Sequence, residues 1–233
     1  MNRPPGLGGA PYGTGIVPTT SSHRVPTLLI VDDHAAVRAG LAALVAHEPG
    51  LDVVASATDA ETALVLAEQH APDLALIDFH LPGEDGLSLC LRLDGASPRP
   101  WLVLYSAFAD DLLAVLAAVA GADALVPKSD DPAQLLDVLL AVAAGQRRVP
   151  GPSPAALRTV GAALEPPDLS IMGMLVHGTP PRQVADTLMM APDWLLARRW
   201  AILRRLSPRR TRRSVLATDA DMLVDHQHRS PTR

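Results

Sequence analysis

The chain has little cysteine and few aromatic residues: Cys90 is alone among 233 residues, and aromatic residues make up 3%. A single cysteine excludes an intramolecular disulfide framework and a cysteine-based zinc site, and we expect Cys90 to be a buried bystander in a reducing cytosol. No run reaches the roughly 18 uninterrupted apolar residues of a membrane span, and residues 1–26 lack the apolar core of a signal peptide. We therefore expect a cytoplasmic protein that makes no membrane contact.

Lysine is as scarce as cysteine, because Lys128 is the one lysine among 20 basic residues. The net charge of −5 is unevenly distributed. Residues 26–149 carry 18 acidic and 6 basic side chains, whereas residues 150–233 carry 7 acidic and 12 basic ones. An acidic half joined to a basic half indicates a C-terminal module that faces nucleic acid or an acidic partner, with an ordinary charge fluctuation as the alternative.

Five short apolar runs alternate with stretches of helical periodicity. The runs occupy residues 27–33, 51–56, 74–78, 101–106 and 124–128. Repeated strand–helix units with continuous apolar strands are typical of a parallel sheet that is covered by helices on both faces. The sequence therefore predicts an α/β domain with a five-stranded, parallel, doubly wound sheet over residues 27–146.

The remaining segments predict a different organisation. Residues 147–163 are rich in proline, glycine and arginine, as in a linker. Three short helical patterns follow in residues 164–206, each beginning at or near a proline, and together they have the size of a small all-α helix-turn-helix domain. We expect residues 1–26 to be a disordered extension and residues 207–233 to be a basic, mostly disordered tail.

Polar side chains close four of the predicted strands. They are Asp32 and Asp33, Asp78, Ser106 and Lys128. Because ligands of an open parallel sheet bind outside the carboxyl ends of its strands, we expect these groups to converge. Close carboxylates repel each other unless a cation is present, and oxygen ligands suit Mg²⁺. The pattern predicts a magnesium site.

Asp78 is the candidate nucleophile towards phosphorus, because a turn with two glycines follows it and we expect that turn to expose it. Lys128 would supply a compact positive charge where the chain elsewhere uses arginine. Taken singly, a strand-terminal aspartate is more often a turn former or helix cap, and for Asp33 capping is the favoured alternative. The number of such residues at strand ends argues for a site.

These residues resemble the receiver domain of two-component response regulators, which has a flavodoxin-like fold. The resemblance covers residues 27–146 and rests on "VDDH", "DFHLPGEDG", Ser106 and "PKSD". It implies that Asp78 accepts a phosphoryl group from a histidine kinase. It also implies that Asp33, Asp78 and the main-chain carbonyl of His80 ligate Mg²⁺, with Asp32 holding the metal through water.

The same resemblance implies that Lys128 pairs with the phosphoryl oxygens and that Ser106 moves to hydrogen-bond the phosphoryl group. In the family this movement is coupled to an aromatic residue on the fifth strand. The matching residue here is Leu125. The aromatic switch therefore lacks its usual residue, whereas the phosphorylation chemistry does not depend on it.

Residues 164–206 resemble the LuxR-type helix-turn-helix output domain of the NarL/FixJ subfamily. The matching framework positions are Leu164, Pro166, Ile171, Leu175, Gly178, Val184, Ala185, Leu188, Ile202, Leu203 and Leu206. In such domains the last helix enters the major groove. Its outer face here would be Asp193, Leu196, Ala197 and Trp200, which cannot make the family's usual contacts with base edges and phosphates.

Arginines remain available for phosphate contacts on this helix and after it. They are Arg198, Arg199, Arg204 and Arg205 on the helix, and Arg209, Arg210, Arg212 and Arg213 behind it. They predict DNA binding with strong salt dependence, or else they belong to a solvated helix end and tail. Trp194 and Trp200 lie on different sides of the helix, so we expect one to be buried and the other exposed.

The leading hypothesis is a phosphorylation-controlled transcription regulator without enzymatic turnover, in which phosphorylation changes dimerisation or domain contact and frees the output module. Its partners would be a sensor histidine kinase, DNA and a second copy in a homodimer. The alternative is a signalling adaptor whose degenerate helix-turn-helix binds a protein. A phosphohydrolase is disfavoured because His80 stands where such enzymes carry a second acid.

Overall fold

The computed structural model describes residues 24–207. Almost all of the predicted N-terminal extension and of the basic tail, including Arg209, Arg210, Arg212 and Arg213, lies outside the described residues. Within residues 24–207, no helix is both long and apolar enough to cross a membrane.

The first half is the predicted five-stranded parallel sheet, with strand order β2-β1-β3-β4-β5. The strands are β1 (Thr27–Val31), β2 (Asp52–Ala57), β3 (Leu74–Asp78), β4 (Trp101–Ser106) and β5 (Ala124–Pro127). The connecting helices are α1 (Ala35–Val45), α2 (Ala60–His70), α3 (Gly86–Asp94), α4 (Asp111–Ala120) and α5 (Pro132–Ala143). This confirms the predicted fold class, with strand limits that match the apolar runs to within a few residues.

Apolar residues on both sides of each central strand explain why helices cover both faces. Leu28 and Ile30 point to one face and join a core that includes residues of α1 and α5. Leu29 and Val31 point to the other face and join a core that includes residues of α2, α3 and α4. Successive strand residues alternate between faces, so a continuous apolar run places apolar side chains on both faces of the sheet.

Aspartates fix the starts of several helices at the carboxyl edge of the sheet. The side chains of Asp59, Asp85 and Asp110 accept hydrogen bonds from backbone N–H groups in the first turns of α2, α3 and α4. Each cap satisfies one of the amide donors that a helix start leaves unpaired. These caps therefore set where the loops between strands and helices end.

The second half consists of α6 (Pro154–Gly161), α7 (Pro166–Val176), α8 (Pro181–Thr187) and α9 (Pro192–Leu206). The last three lie in the segment predicted to be helix-turn-helix, and each begins on a proline, whose fixed φ suits a first helical turn. Helix α6 was not anticipated, because residues 147–163 were predicted to be a linker. Ser153 caps it by accepting from the N–H of Ala156, so the helix has a defined start inside the proline-rich segment.

Helix α4 is buried on every side. Residues Leu113 to Ala120 are all buried, since the sheet and α3 cover one side and the second half of the chain covers the other. One apolar core runs without interruption from the sheet through α4 into α7 and α9. The two halves are therefore packed together as one body.

Gly86, the first residue of α3, is required by close backbone packing. A Cβ there would run into the carbonyl oxygen of Asp78 and meet the side chain of Leu104 at 3.1 Å. We expect Gly86→Ala to lower the free energy of unfolding by about 1–3 kcal/mol, because backbone must move to accommodate the methyl group. Urea denaturation measures this difference.

Gly40→Ala is the matched control, since nothing lies within 4 Å of a Cβ at this exposed position inside α1. Alanine is the better helix former, so this variant should be more stable than the native chain by up to about 1 kcal/mol. Equal stability of the Gly86→Ala variant and the native chain would contradict the packing described for Gly86.

Candidate functional site

Three of the predicted strand-end groups meet at the carboxyl edge of the sheet, where β1 and β3 are neighbours. Oxygens of Asp32, Asp33 and Asp78 and a ring nitrogen of His34 lie within 4.8 Å of one another. Asp32 and Asp78 are buried, whereas Asp33 and His34 are exposed at the rim. The structure therefore brings the predicted acidic cluster together and adds His34, which was not assigned although it closes the "VDDH" motif.

The ammonium group of Lys128 bridges the two buried carboxylates. Its Nζ lies 2.8 Å from Oδ2 of Asp32 and 3.0 Å from Oδ2 of Asp78. Burial alone would lower the pKa of Lys128, but hydrogen bonds and charge attraction from both aspartates outweigh burial and raise it above its ordinary value. Lys128 is therefore a permanent positive charge at the bottom of the crevice.

For Asp78, the effect of burial outweighs the effect of the nearby positive charge. Burial raises the pKa of Asp78 above its ordinary value, although Lys128 and the backbone N–H of His80 act to lower it. The nearby charge of Asp32 also raises it. The ionised form of Asp78 is thus disfavoured in the folded chain, and further positive charge nearby would stabilise it.

The turn that follows Asp78 does not expose it. Only 3% of Asp78 is accessible, so the expectation of an exposed residue is wrong. The physical reason is that β3 lies between β1 and β4 in the sheet, Lys128 lies against the carboxylate, and Gly86 packs on its main-chain carbonyl. The turn instead positions the N–H of His80, which donates to Oδ1 of Asp78 over 3.3 Å.

The hydroxyl of Ser106 is held by the loop after β4. Its Oγ donates to the carbonyl of Phe108 at 3.0 Å and accepts from the N–H of Phe108 at 3.2 Å. Any other partner for the Ser106 hydroxyl must compete with these two bonds. Leu125, at the position of the usual aromatic switch in β5, is buried, whereas Phe108 is 58% exposed.

Contrary to both interpretations of the arginines on α9, Arg199 is not on a free surface. It is 3% accessible; its Nη1 lies 2.6 Å from Asp94 and its Nε donates to the carbonyl of Val119 at 2.8 Å. The predicted DNA contact of Arg199 is therefore wrong for this arrangement of the chain. The reason is that the face of α9 carrying Arg199 packs on the carboxyl ends of α3 and α4.

The other arginines of α9 have mixed surroundings. Arg198 pairs with the buried Asp168 at 2.6 Å and lies over the ring of Trp194. Arg205 lies 3.3 Å from Glu165, and Arg204 is exposed. These are the positions at which α9 still offers positive charge to a partner.

Three of the four residues of the predicted outer face of α9 are accessible. Asp193, Leu196 and Ala197 are exposed, and Trp200 is partly buried against the core. Trp194 is exposed, which confirms that the two tryptophans have different surroundings.

Comparison with known proteins identifies relatives over most of the chain. Residues 28–140 match the response regulator receiver domain family. The chain is 30% identical to the DNA-binding transcriptional activator DevR/DosR of Mycobacterium tuberculosis, over 82% of this chain and 94% of that protein. It is also 30% identical to the nitrate/nitrite response regulator protein NarL of Escherichia coli, over 72% of this chain and 83% of that protein.

A solved structure of similar kind is the two-component response regulator of the LuxR family from Aurantimonas sp. SI85-9A1. It superposes with a TM-score of 0.52 at 31% identity, and the match covers 60% of this chain and 97% of that chain. The similarity to sequences extends beyond the sheet domain into the helices of the second half, since it spans up to 203 residues.

The strained state of Asp78 predicts a pH-dependent gain in stability when its charge is removed. Because its pKa is raised on folding above the ordinary 3.8, ionisation of Asp78 destabilises the fold at neutral pH. In metal-free buffer, Asp78→Asn should therefore increase the free energy of unfolding at pH 7. This gain should shrink as the pH falls through the raised pKa towards 3.8, where the native carboxyl is itself protonated.

Asp52→Asn, at an exposed position that begins β2, is the control and should leave stability unchanged. Denaturation of the three proteins between neutral and acidic pH measures the effect. If Asp78→Asn is less stable than the native chain at neutral pH, the expectation is wrong. The lost attraction between Asp78 and Lys128 would then outweigh the cost of burying the charge of Asp78.

Proposed function

This chain belongs to the response regulators of the NarL subfamily, which join a receiver domain to a LuxR-type output domain, and we propose that it is controlled by phosphorylation of Asp78. The observation that carries the proposal is the pairing of the half-buried Lys128 with the buried Asp32 and Asp78 at the strand ends. A sensor histidine kinase would supply the phosphoryl group.

The geometry supports attack by a carboxylate oxygen of Asp78 on the phosphorus of a phosphohistidine. The new bond joins that oxygen to phosphorus, the phosphorus–nitrogen bond breaks, and the imidazole leaves with its electron pair. Phosphoryl transfer depends mainly on positioning and on positive charge near the equatorial oxygens. Lys128 supplies one such charge, already placed 3.0 Å from the acceptor carboxylate.

The acidic cluster at the strand ends fits Mg²⁺. Asp32, Asp33 and Asp78 offer clustered carboxylate oxygens, which this hard cation prefers, and we propose that the main-chain carbonyl of His80 completes the set. Bound Mg²⁺ would neutralise charge on the transferring phosphoryl group. The raised pKa of Asp78, which burial causes, fits this role, because a bound cation would stabilise the ionised carboxylate.

Ser106 would report the phosphorylated state. To donate a hydrogen bond to a phosphoryl oxygen, its hydroxyl must leave the carbonyl of Phe108. The N–H of Phe108 would then lose its acceptor as well, so the loop before α4 would rearrange. This coupling does not need an aromatic residue at Leu125.

We propose that the output domain binds DNA, since the similar protein DevR/DosR is a DNA-binding transcriptional activator. The outer face of α9 lacks base-reading side chains, so binding would rest on phosphate contacts of exposed arginines and would depend strongly on salt. The second candidate, an adaptor that binds a protein, is supported by the exposed Trp194 and Leu196 on the same helix. Homodimerisation would pair two copies on one site.

Phosphotransfer separates the acceptor from its neighbours. With radiolabelled acetyl phosphate and Mg²⁺, the native chain should be labelled and Asp78→Asn should not. Lys128→Ala should be labelled about 10²-fold more slowly or worse, because it removes a charge placed against the transferring group. Asp52→Asn should be labelled like the native chain, and labelling of Asp78→Asn at the native rate would refute the acceptor assignment.

Duplex binding by the phosphorylated chain should weaken steeply with salt. The slope of log K against log salt should be about −0.9 per phosphate contact, and Arg204→Ala should make it shallower by about one unit. Arg158→Ala, an exposed position on α6, is the matched control and should keep the native slope. Absence of binding at low salt, with and without phosphorylation, would favour the adaptor.

A further inference from the structure

Helix α4 has no polar side chain from Leu112 to Ala120. A helix that is apolar all round requires cover on all sides, and the sheet with α3 covers only part of α4. Helix α6 and the output-domain helices α7 and α9 cover the rest. We propose that the output domain stays docked on α3 and α4 in the phosphorylated protein too, so that the two domains act as one body and activation does not separate them.

The apolar part of this contact has the character of a domain core. Ile171, Met172 and Leu175 of α7 and Leu203 of α9 are at most 5% accessible and lie in the same apolar cluster as the residues of α4. Separation would expose this cluster on both partners at once. Soluble monomers rarely expose large contiguous apolar patches.

A buried ion pair fixes the register of the contact. Asp94, the last residue of α3, receives Nη1 of Arg199 from the output domain and Nε of Arg99 from the receiver domain, each at 2.6 Å. Nε of Arg199 also donates to the carbonyl of Val119, near the end of α4. Carboxyl ends of two helices and a carboxylate thus surround one guanidinium, and helix carboxyl ends favour positive charge.

Gly121 leaves the space that this ion pair needs. A Cβ at Gly121 would lie 2.8 Å from Nη2 of Arg199 and 2.8 Å from the carboxylate of Asp94, and its φ of +86° suits glycine. Receiver and output residues are therefore matched at one point: a glycine that ends α4, an aspartate that ends α3 and an arginine on the buried face of α9.

Docking leaves the opposite face of α9 free, so a partner can reach the helix without domain opening. Asp193, Leu196 and Ala197 remain exposed in the docked arrangement. The signal has a short route, because the backbone N–H of Ser153, the cap of α6, donates to Asp111 in the first turn of α4 at 3.2 Å. Movement of the loop that holds Ser106 would shift α6 while α4 stays covered.

The proposal rests on the proposed function only in taking Asp78 as the switch. Its test uses the full chain with spin labels on Glu68→Cys in α2 and Gln183→Cys in α8, both exposed positions, while the native Cys90 is fully buried and takes no label. Interdomain distances are measured by pulsed electron spin resonance with and without beryllofluoride and Mg²⁺. Fluorine resonance of bound beryllofluoride, measured on the same sample, reports whether Asp78 is occupied.

We expect one distance population that keeps its position when beryllofluoride is bound. A second, longer population in the beryllofluoride-bound chain would overturn the proposal. Arg199→Glu, which sets an acid against Asp94, should produce that longer population, and Arg204→Glu, exposed on the same helix, should not.

If no fluorine signal of bound beryllofluoride is found, the assignment of Asp78 as acceptor fails, and this outcome is independent of docking. Docking is then judged from the two glutamate variants: separation in Arg199→Glu alone supports it, and an unchanged distance in both variants overturns the role of the ion pair.

Discussion

The ammonium group of Lys128 holds two buried carboxylates together at the end of the sheet. Without it, Asp32 and Asp78 would repel each other in surroundings that screen charge poorly. The parallel sheet imposes this meeting, since it brings the ends of β1, β3 and β5 to one edge. Lys128 does not fully offset the burial of Asp78, so the pKa of Asp78 stays above its ordinary value. The site is thus built to accept more positive charge or a group that carries it.

Position in the sheet explains which parts were predictable from sequence. The apolar runs predicted β1 to β5. The polar residues that close these runs predicted that Asp32, Asp78 and Lys128 converge. The burial of Asp78 was not predictable from a turn pattern, since it depends on what packs across the turn. Helix α6 was missed because proline and glycine signals masked a short helix whose cap is Ser153.

The contact between the domains shows the limit of reading each segment alone. On α9, Arg199 was grouped with its neighbours as a DNA-facing cation, yet its partner Asp94 lies 105 residues away. The unbroken apolar sequence of α4 did carry a signal, because a helix on the surface of an isolated receiver would need a polar side. The apolar sequence of α4 indicated that another segment packs on this helix, but it did not identify that segment. The same packing connects the loop of Ser106, through α4 and Asp111, to Ser153, which caps α6.

We propose that one carboxylate, Asp78, forms the covalent bond with phosphorus. Borohydride reduction of the phosphorylated chain converts an acyl phosphate to an alcohol, and peptide mass spectrometry then identifies the modified position. We expect homoserine at position 78 and unmodified Asp32 and Asp33. Homoserine at either of these two residues, with Asp78 intact, would contradict it.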